Sequence, residues 1–170
     1  MTGLLSSLTQ IALLRKDPSG LPSSWALVAV FVILYAAVDV MIILLVTGYR
    51  AFARTALDVG FALAFIGLVL ALTGRARRLP QSLIAVFGAY VLLAPAIAIL
   101  LLTRAAAKSN EAIALLTAAG AVLVALWYLL IVGHVLRSAL DTGLVTGFAL
   151  TVTWTVANFA LSQALFGSAP

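Results

Sequence analysis

The chain has no cysteine. Disulfides, thiolate metal sites, cysteine-linked haem and thiol redox chemistry are therefore excluded, while either redox compartment remains open. Charge is also scarce. Asp, Glu, Lys and Arg make up 9% of residues, against about a quarter in a soluble domain whose surface must be wetted. With 65% of residues hydrophobic, the chain cannot cover itself with polar groups, and it reads as an integral membrane protein of one domain. Histidine occurs once, at His134. Metal sites need several ligands, and no HxxxH, HExxH or paired acid supplies them, so neither a metal nor another cofactor is expected.

Recognisable catalytic patterns are missing too. There is no GxSxG, no serine–lysine pair within a span, no P-loop and no GxGxxG. An intramembrane aspartic dyad requires two buried acids, and Asp58 and Asp141 read as lying at span ends, as does Glu111, where the helix dipole favours a negative charge. The net charge of +5 does not point to nucleic acid. The basic residues sit between apolar runs, without stacking aromatics or a Gly-rich basic loop, so they read as topology determinants and contacts to membrane lipids.

What is present is a series of long apolar runs. A helix needs about 20 apolar residues to cross the hydrocarbon core. The runs predict an all-α, polytopic transmembrane helical bundle with five spans at 24–48, 57–73, 82–103, 112–136 and 142–166. The second is the shortest and is the one open to a re-entrant reading. Ser23 or Ser24 is placed to cap the first span, and Trp25 sits where an interfacial aromatic belongs. Residues 21–170 form this bundle, and residues 1–20 form a separate N-terminal segment. There, Leu4, Leu5, Leu8, Ile11 and Leu14 recur at helical spacing between Ser, Thr and Gln. This predicts an amphipathic helix lying in the interface and packing under the bundle, with a partner-binding helix as the alternative. No basic residue precedes the apolar part and no small-residue cleavage site follows, so it does not read as a cleavable signal peptide. Asp17-Pro18-Ser19-Gly20 ends it.

The basic residues also predict orientation. Arg15, Lys16, Arg75, Arg77, Arg78 and Arg137 fall on the N-terminal side, and Arg50, Arg54, Arg104 and Lys108 on the other. Positive residues favour the cytoplasm, which places the N-terminus inside and the C-terminus outside.

One acid interrupts the first span, in YAAVDVMIILL: Asp39. It lies about 22 Å along the helix, where an unpartnered ionised aspartate costs about 2.5–3.5 kcal/mol on insertion scales. It is therefore expected to face protein or water. Span five offers a partner, because Gly143, Gly147, Thr151, Thr155, Asn158 and Ser162 recur at three- and four-residue spacing. Asn158 lies about 16 residues in, near the depth of Asp39. The predicted buried polar site is Asp39 with Asn158, and Thr155 or Ser162 nearby. It serves either as glue between helices or as a proton or substrate site. The Gly143–Gly147 pair and the small-residue stripe of span two, with Gly60 and Gly67, read as helix-packing surfaces, within the protein or between copies. Pro95 removes a bond to the Val91 carbonyl and predicts a kink in span three.

The layout resembles the Yip1 family. The residues that carry the likeness are the leucine-rich N-terminal segment, the proline-containing approach LLRKDPSGLPSS, and the five compact spans that follow. The acidic, tyrosine- and proline-containing motifs of eukaryotic members are absent, so no site residue is carried over. The resemblance implies a non-enzymatic, partner-binding membrane protein. The Ala- and Leu-rich composition without a long soluble arm suggests a bacterial inner-membrane member. Two functions follow as expectations: a scaffold, assembly or accessory subunit acting through membrane-protein partners, lipids or further copies of itself, or a small oligomeric transporter or channel with Asp39 in its path.

Overall fold

The computed structural model describes residues 2–46, 50–107 and 110–167. Gly48, the expected end of the first span, and Lys108 lie outside them. Six α-helices follow one another: α1 (Thr2–Ala12), α2 (Trp25–Val46), α3 (Ala51–Leu72), α4 (Leu79–Ala106), α5 (Glu111–Leu140) and α6 (Leu144–Phe166). Short 3₁₀ turns at Pro18–Gly20 and Ala76–Arg78 precede α2 and α4. Among the described residues there is no strand. The five helices from α2 to α6 are long and apolar enough to cross a membrane, as the five hydrophobic runs predict.

Local chemistry sets several of the helix ends. Ser24 Oγ accepts from the Leu27 amide at the start of α2, and Asn110 Oδ1 accepts from the Ile113 amide at the start of α5. Asp141, the C-cap of α5, has φ 48° in the left-handed region, and Arg78 donates to the Ser138 and Ala139 carbonyls beside it. Helix ends leave carbonyls without intrahelical partners, and here a side chain from a neighbouring helix start supplies them.

Span two differs from its predicted bounds. It begins at Ala51, not near Leu57, and is 22 residues long, about 33 Å at helical rise. Arg50 and Arg54 suggest a connector, but a single arginine in the first turn does not stop a helix. The Arg54 guanidinium stacks 5.8 Å over the Phe166 ring, and its Nε is buried without a hydrogen-bond partner among the described residues.

The long helices close a ring. α2 touches α3, α3 touches α6, α6 touches α5, α5 touches α4, and α4 returns to α2, with a further α3–α4 contact. Packing is uneven along this ring. In α4, burial runs from Ser82 to Ala89 and stops at Ala94, the residue before Pro95. In α5 it runs from Ile131 to Leu136 and resumes at Ala139, while only Thr117 is buried in the half nearer Glu111. The end of the bundle on the N-terminal side is thus close-packed and the opposite end is loose.

Glycines explain part of that closeness. Between α5 and α6 the approach is backbone to backbone. A Cβ added at Gly147 would collide with the Gly133 carbonyl and stand 2.7 Å from Arg137 Cβ. Gly143, four residues earlier, caps α6 with open space around it, so only one glycine of that pair makes the contact. The span-two stripe is not a close packing surface within the chain. Gly60 meets nothing within 4 Å, and Gly67 meets only Leu79, at 3.9 Å. The buried stripe of α3 is instead Ala51, Thr55, Ala62, Ile66 and Leu70, because the side-chain volume of Ile66 and Leu70 fills the bundle better than a row of small residues.

α1 is an eleven-residue helix packed on the flanks of α4 and α5. Leu8 and Ile11 are fully buried, Leu8 fitting against Gly88. The Trp127 indole donates to the Ala12 carbonyl at 3.1 Å, and His134 Nε2 meets the Lys16 carbonyl at 3.1 Å while Nδ1 accepts from Arg137. Trp127 lies thirteen residues before the end of α5, about 20 Å along it. These contacts seat the segment against the α4–α5 side of the bundle. Its apolar face seats on protein because Gly88 leaves room for Leu8.

Candidate functional site

The polar residues of the membrane-spanning helices gather where the close-packed half meets the loose half. On α2 the buried positions are Val28, Phe31, Tyr35 and Asp39, a spacing of three and four that defines one helix face. Asp39 is therefore directed into the ring, with 6% of its surface exposed. On α3 the corresponding face carries Thr55 and, three residues on, Asp58. α2 and α3 are antiparallel neighbours. Asp39 lies seven residues before the end of α2 at Val46, and Asp58 seven residues after the start of α3 at Ala51; Thr55 is the residue that meets Asp39, which sets Asp58 about one helical turn further along α3.

Each acid has its own partners. The Thr55 hydroxyl donates to Asp39 Oδ2 at 2.6 Å and the Tyr90 hydroxyl to Asp39 Oδ1 at 3.0 Å. Both oxygens of Asp39 are thus engaged by neutral donors from α3 and α4. Asn158 Nδ2 on α6 donates to Asp58 Oδ1 at 2.8 Å. The expected Asp39–Asn158 bond is therefore not the one formed. Asn158 reaches Asp58, because α6 packs against α3 while α2 packs against α3 and α4. Thr155 lies beside the site but is exposed, and its hydroxyl bonds back to the Thr151 carbonyl. Ser162, a further turn along α6, makes no side-chain hydrogen bond among the described residues and does not line the cavity described next.

A cavity of about 250 Å³ lies beside the acids. Tyr35, Asp58, Tyr128, Trp154, Thr155 and Asn158 line it, with Ala125 and Leu129. Two lining residues keep a buried polar atom without a partner among the described residues: Trp154 Nε1, a donor, and Asn158 Oδ1, an acceptor. Buried polar atoms without partners are rare and require an explanation. Tyr35, Tyr128 and Trp154 form its aromatic wall, and Tyr90 stands behind it, with ring centroids 4.6 Å from Tyr35 and 5.6 Å from Tyr128. Arg54, one turn before Asp58 on α3, is the cation whose field acts on it.

The assembled group contains one acid held by hydroxyls, one acid with an oxygen not taken by Asn158, an amide with a free acceptor, and three aromatic rings. Such a set attracts a cation. Carboxylate and amide oxygens accept its N–H bonds, and tyrosine and tryptophan faces add cation–π attraction. Asp58 was not legible as a member of this group, because the shorter reading of span two puts it at the helix end. Tyr35, Tyr90 and Tyr128 carried a readable signal: a tyrosine in mid-span needs a partner for its hydroxyl or a polar cavity to meet.

Compared with protein families, with curated proteins and with solved structures, the chain matches none.

Proposed function

We propose that this integral membrane protein binds a small organic ammonium ion in the central cavity and passes it across the bilayer, as a transporter or channel. One observation carries the reading: two carboxylates, Asp39 and Asp58, stand about one helical turn apart in one ring of helices, and Asp58 lines an aromatic cavity. A lone buried acid suffices as glue between helices. A second acid adds insertion cost, and Asn158 engages only one of its oxygens, so a cation in the cavity that Asp58 lines fits beside it.

The test uses purified protein in proteoliposomes with radiolabelled methylammonium as the first probe, benzylammonium as a larger one, and an internal pH dye to report proton movement. Wild type is expected to take up at least one of the amines, and Asp58→Asn to lose that uptake while keeping its unfolding temperature within a few degrees. Proton movement without amine uptake would replace the amine by a proton as the translocated ion. Wild-type and Asp58→Asn liposomes that behave alike toward amines and protons would overturn the reading.

A second reading, the scaffold or accessory subunit, is favoured by a different observation. Asp39 is dry, and both of its oxygens are bonded within the chain, as in a bond that locks helices. The resemblance to the Yip1 family supports the same reading. Under it, copurification from native membrane in mild detergent yields a stoichiometric membrane-protein partner, and Asp58→Asn leaves that partner bound.

A further inference from the structure

A second cavity, of about 270 Å³, lies between α4 and α5 in the loose half. Its lining follows one face of each helix. On α4 it runs through Tyr90, Leu93, Ile97, Leu100 and Leu101 to Arg104, and on α5 from Tyr128 to Thr117. From Tyr90 to Arg104 is fourteen residue steps and from Thr117 to Tyr128 eleven, about 21 Å and 17 Å at helical rise. One leaflet of the hydrocarbon core is about 15 Å deep. The cavity is thus a slot as long as a membrane acyl chain, ending near the membrane boundary at Arg104.

Its chemistry is asymmetric. Between the ends the walls are hydrocarbon: Leu93, Ile97, Leu100, Ala121 and Val124. At the floor, the Tyr90 hydroxyl is already donated to Asp39. Near the mouth, Thr117 is bonded back to the Ile113 and Ala114 carbonyls. Neither hydroxyl asks for a ligand. Arg104, in contrast, is exposed and has no hydrogen bond, ion pair or ring contact among the described residues. On the other side of the bundle Arg75 and Arg78 are paired with Asp141. A guanidinium binds phosphate through a planar fork of donors, and it stands here at the open end of an apolar slot.

We propose that this slot holds one acyl chain of an anionic phospholipid whose phosphate is taken by Arg104. The charge and the hydrocarbon are both needed. A soluble anion would leave the slot unfilled, and a lipid without net negative charge would leave the arginine's charge uncompensated, the choline of phosphatidylcholine already balancing its phosphate. Because Ala125 and Tyr128 line both cavities, the lipid chain would form part of the wall of the central site. The assignment does not depend on what that central site binds.

The experiment is native mass spectrometry of the intact chain titrated with phosphatidylglycerol or with phosphatidylcholine of the same acyl chains, paired with photolabelling by a phosphatidylglycerol bearing a diazirine on its chain. Wild type is expected to retain one phosphatidylglycerol at least tenfold better than phosphatidylcholine. Arg104→Gln should reduce that preference to near unity, and Arg77→Gln, exposed at the other end of the bundle, should leave it intact. The label is expected on Leu93, Ile97, Leu100, Ala121 and Val124 of the slot. Ala121→Trp, which fills the slot, should abolish that labelling; if it fails to fold, the wild-type label positions decide. An unchanged preference in Arg104→Gln, or label confined to lipid-facing Ile99, Leu102, Leu115 and Leu116, would overturn the proposal. Displacement by oleate but not by unlabelled phosphatidylglycerol would overturn the phospholipid assignment.

Discussion

The two halves of the helical ring are built from similar residues and pack differently. In the half toward α1, Leu83 to Phe87 on α4 and Ile131, Val132, Val135 and Leu136 on α5 are almost fully buried. In the other half, Ile99, Leu102, Leu115, Leu116, Val122 and Leu123 are exposed, and both the lipid slot and most of the central cavity wall lie there or at the boundary. Hydrophobicity does not separate the halves, since leucine, isoleucine and valine populate both. The difference comes from what crosses between helices. The close-packed half has glycine contacts at Gly88, Gly133 and Gly147. It is also tied at its end by Arg78 on the α5 carbonyls and by the Arg75–Asp141 and Arg78–Asp141 ion pairs. In lipid, association rests on packing and interhelical hydrogen bonds, not on expulsion of water. The loose half has one close glycine contact, Gly120 against the end of the Leu100 side chain, and no ion pair among the described residues, and it retains space.

The most direct way to break this comparison is to place bulk at the two kinds of glycine. Gly147→Leu drives a side chain into the Gly133 backbone, and overpacking of this kind costs about 1–3 kcal/mol or more. Gly60→Leu enters open space and should change stability by less than about 0.5 kcal/mol, as surface substitutions do. Thermal unfolding of both variants in one detergent measures the contrast. Equal midpoints would show that the close-packed half is not closed by its glycines.

An effect of similar size is expected at the boundary. Asp39→Leu removes the acceptor of both the Thr55 and Tyr90 hydroxyls, and each buried hydroxyl left unsatisfied costs about 1–3 kcal/mol. Asp39→Asn keeps one carbonyl oxygen and should lose less than half as much. If denaturation midpoints rank the asparagine variant below the leucine variant, hydrogen bonding is not what holds α2, α3 and α4 together at this level.

The smallest effect belongs to the surface tie of the close-packed half. The hydrogen bond from Arg78 holds the Asp141 carboxyl below the usual carboxylate range, with Arg75 adding to it. A depressed folded-state value means that the stabilisation is present above the ordinary carboxylate pKa of about 3.9 and is lost as pH falls through the lower, folded-state value. Asp141→Asn should therefore lower the unfolding temperature slightly at neutral pH, and the gap to wild type should close between pH 4 and strong acid. Because Asp141 is solvent-exposed, added salt should narrow the neutral-pH gap as well. A gap that survives both acid and salt would show that the pair does not act through charge.

Much of this was legible in the residues themselves. The five runs were visible because each exceeds the length that the hydrocarbon core demands, and Asp39 stood out because a charge in such a run has to be explained. The partners of Asp39 were not legible. Matching depths along two parallel spans pointed to Asn158, but depth is only one coordinate. Which helices are neighbours, and how each is rotated about its axis, decides whether two residues at one level can touch. Asp58 was hidden by a two-turn error in where α3 starts, since Arg54 read as the end of a loop. Once α3 begins at Ala51, the antiparallel hairpin brings Thr55 to Asp39 and Asp58 to within about one turn of it.

The sequence by itself determined the solvent of this protein, the number of its spans and the residues that cannot face lipid, because transfer free energy is summed along the chain and needs no knowledge of neighbours. Only the tertiary structure decided that Thr55 and Tyr90 hold one acid, that Asn158 holds the other, that α1 seats on Gly88, and that the ring is tight at one end and open at the other. Those outcomes depend on side-chain directions on different helices meeting at about 3 Å, a distance that no one-dimensional pattern encodes.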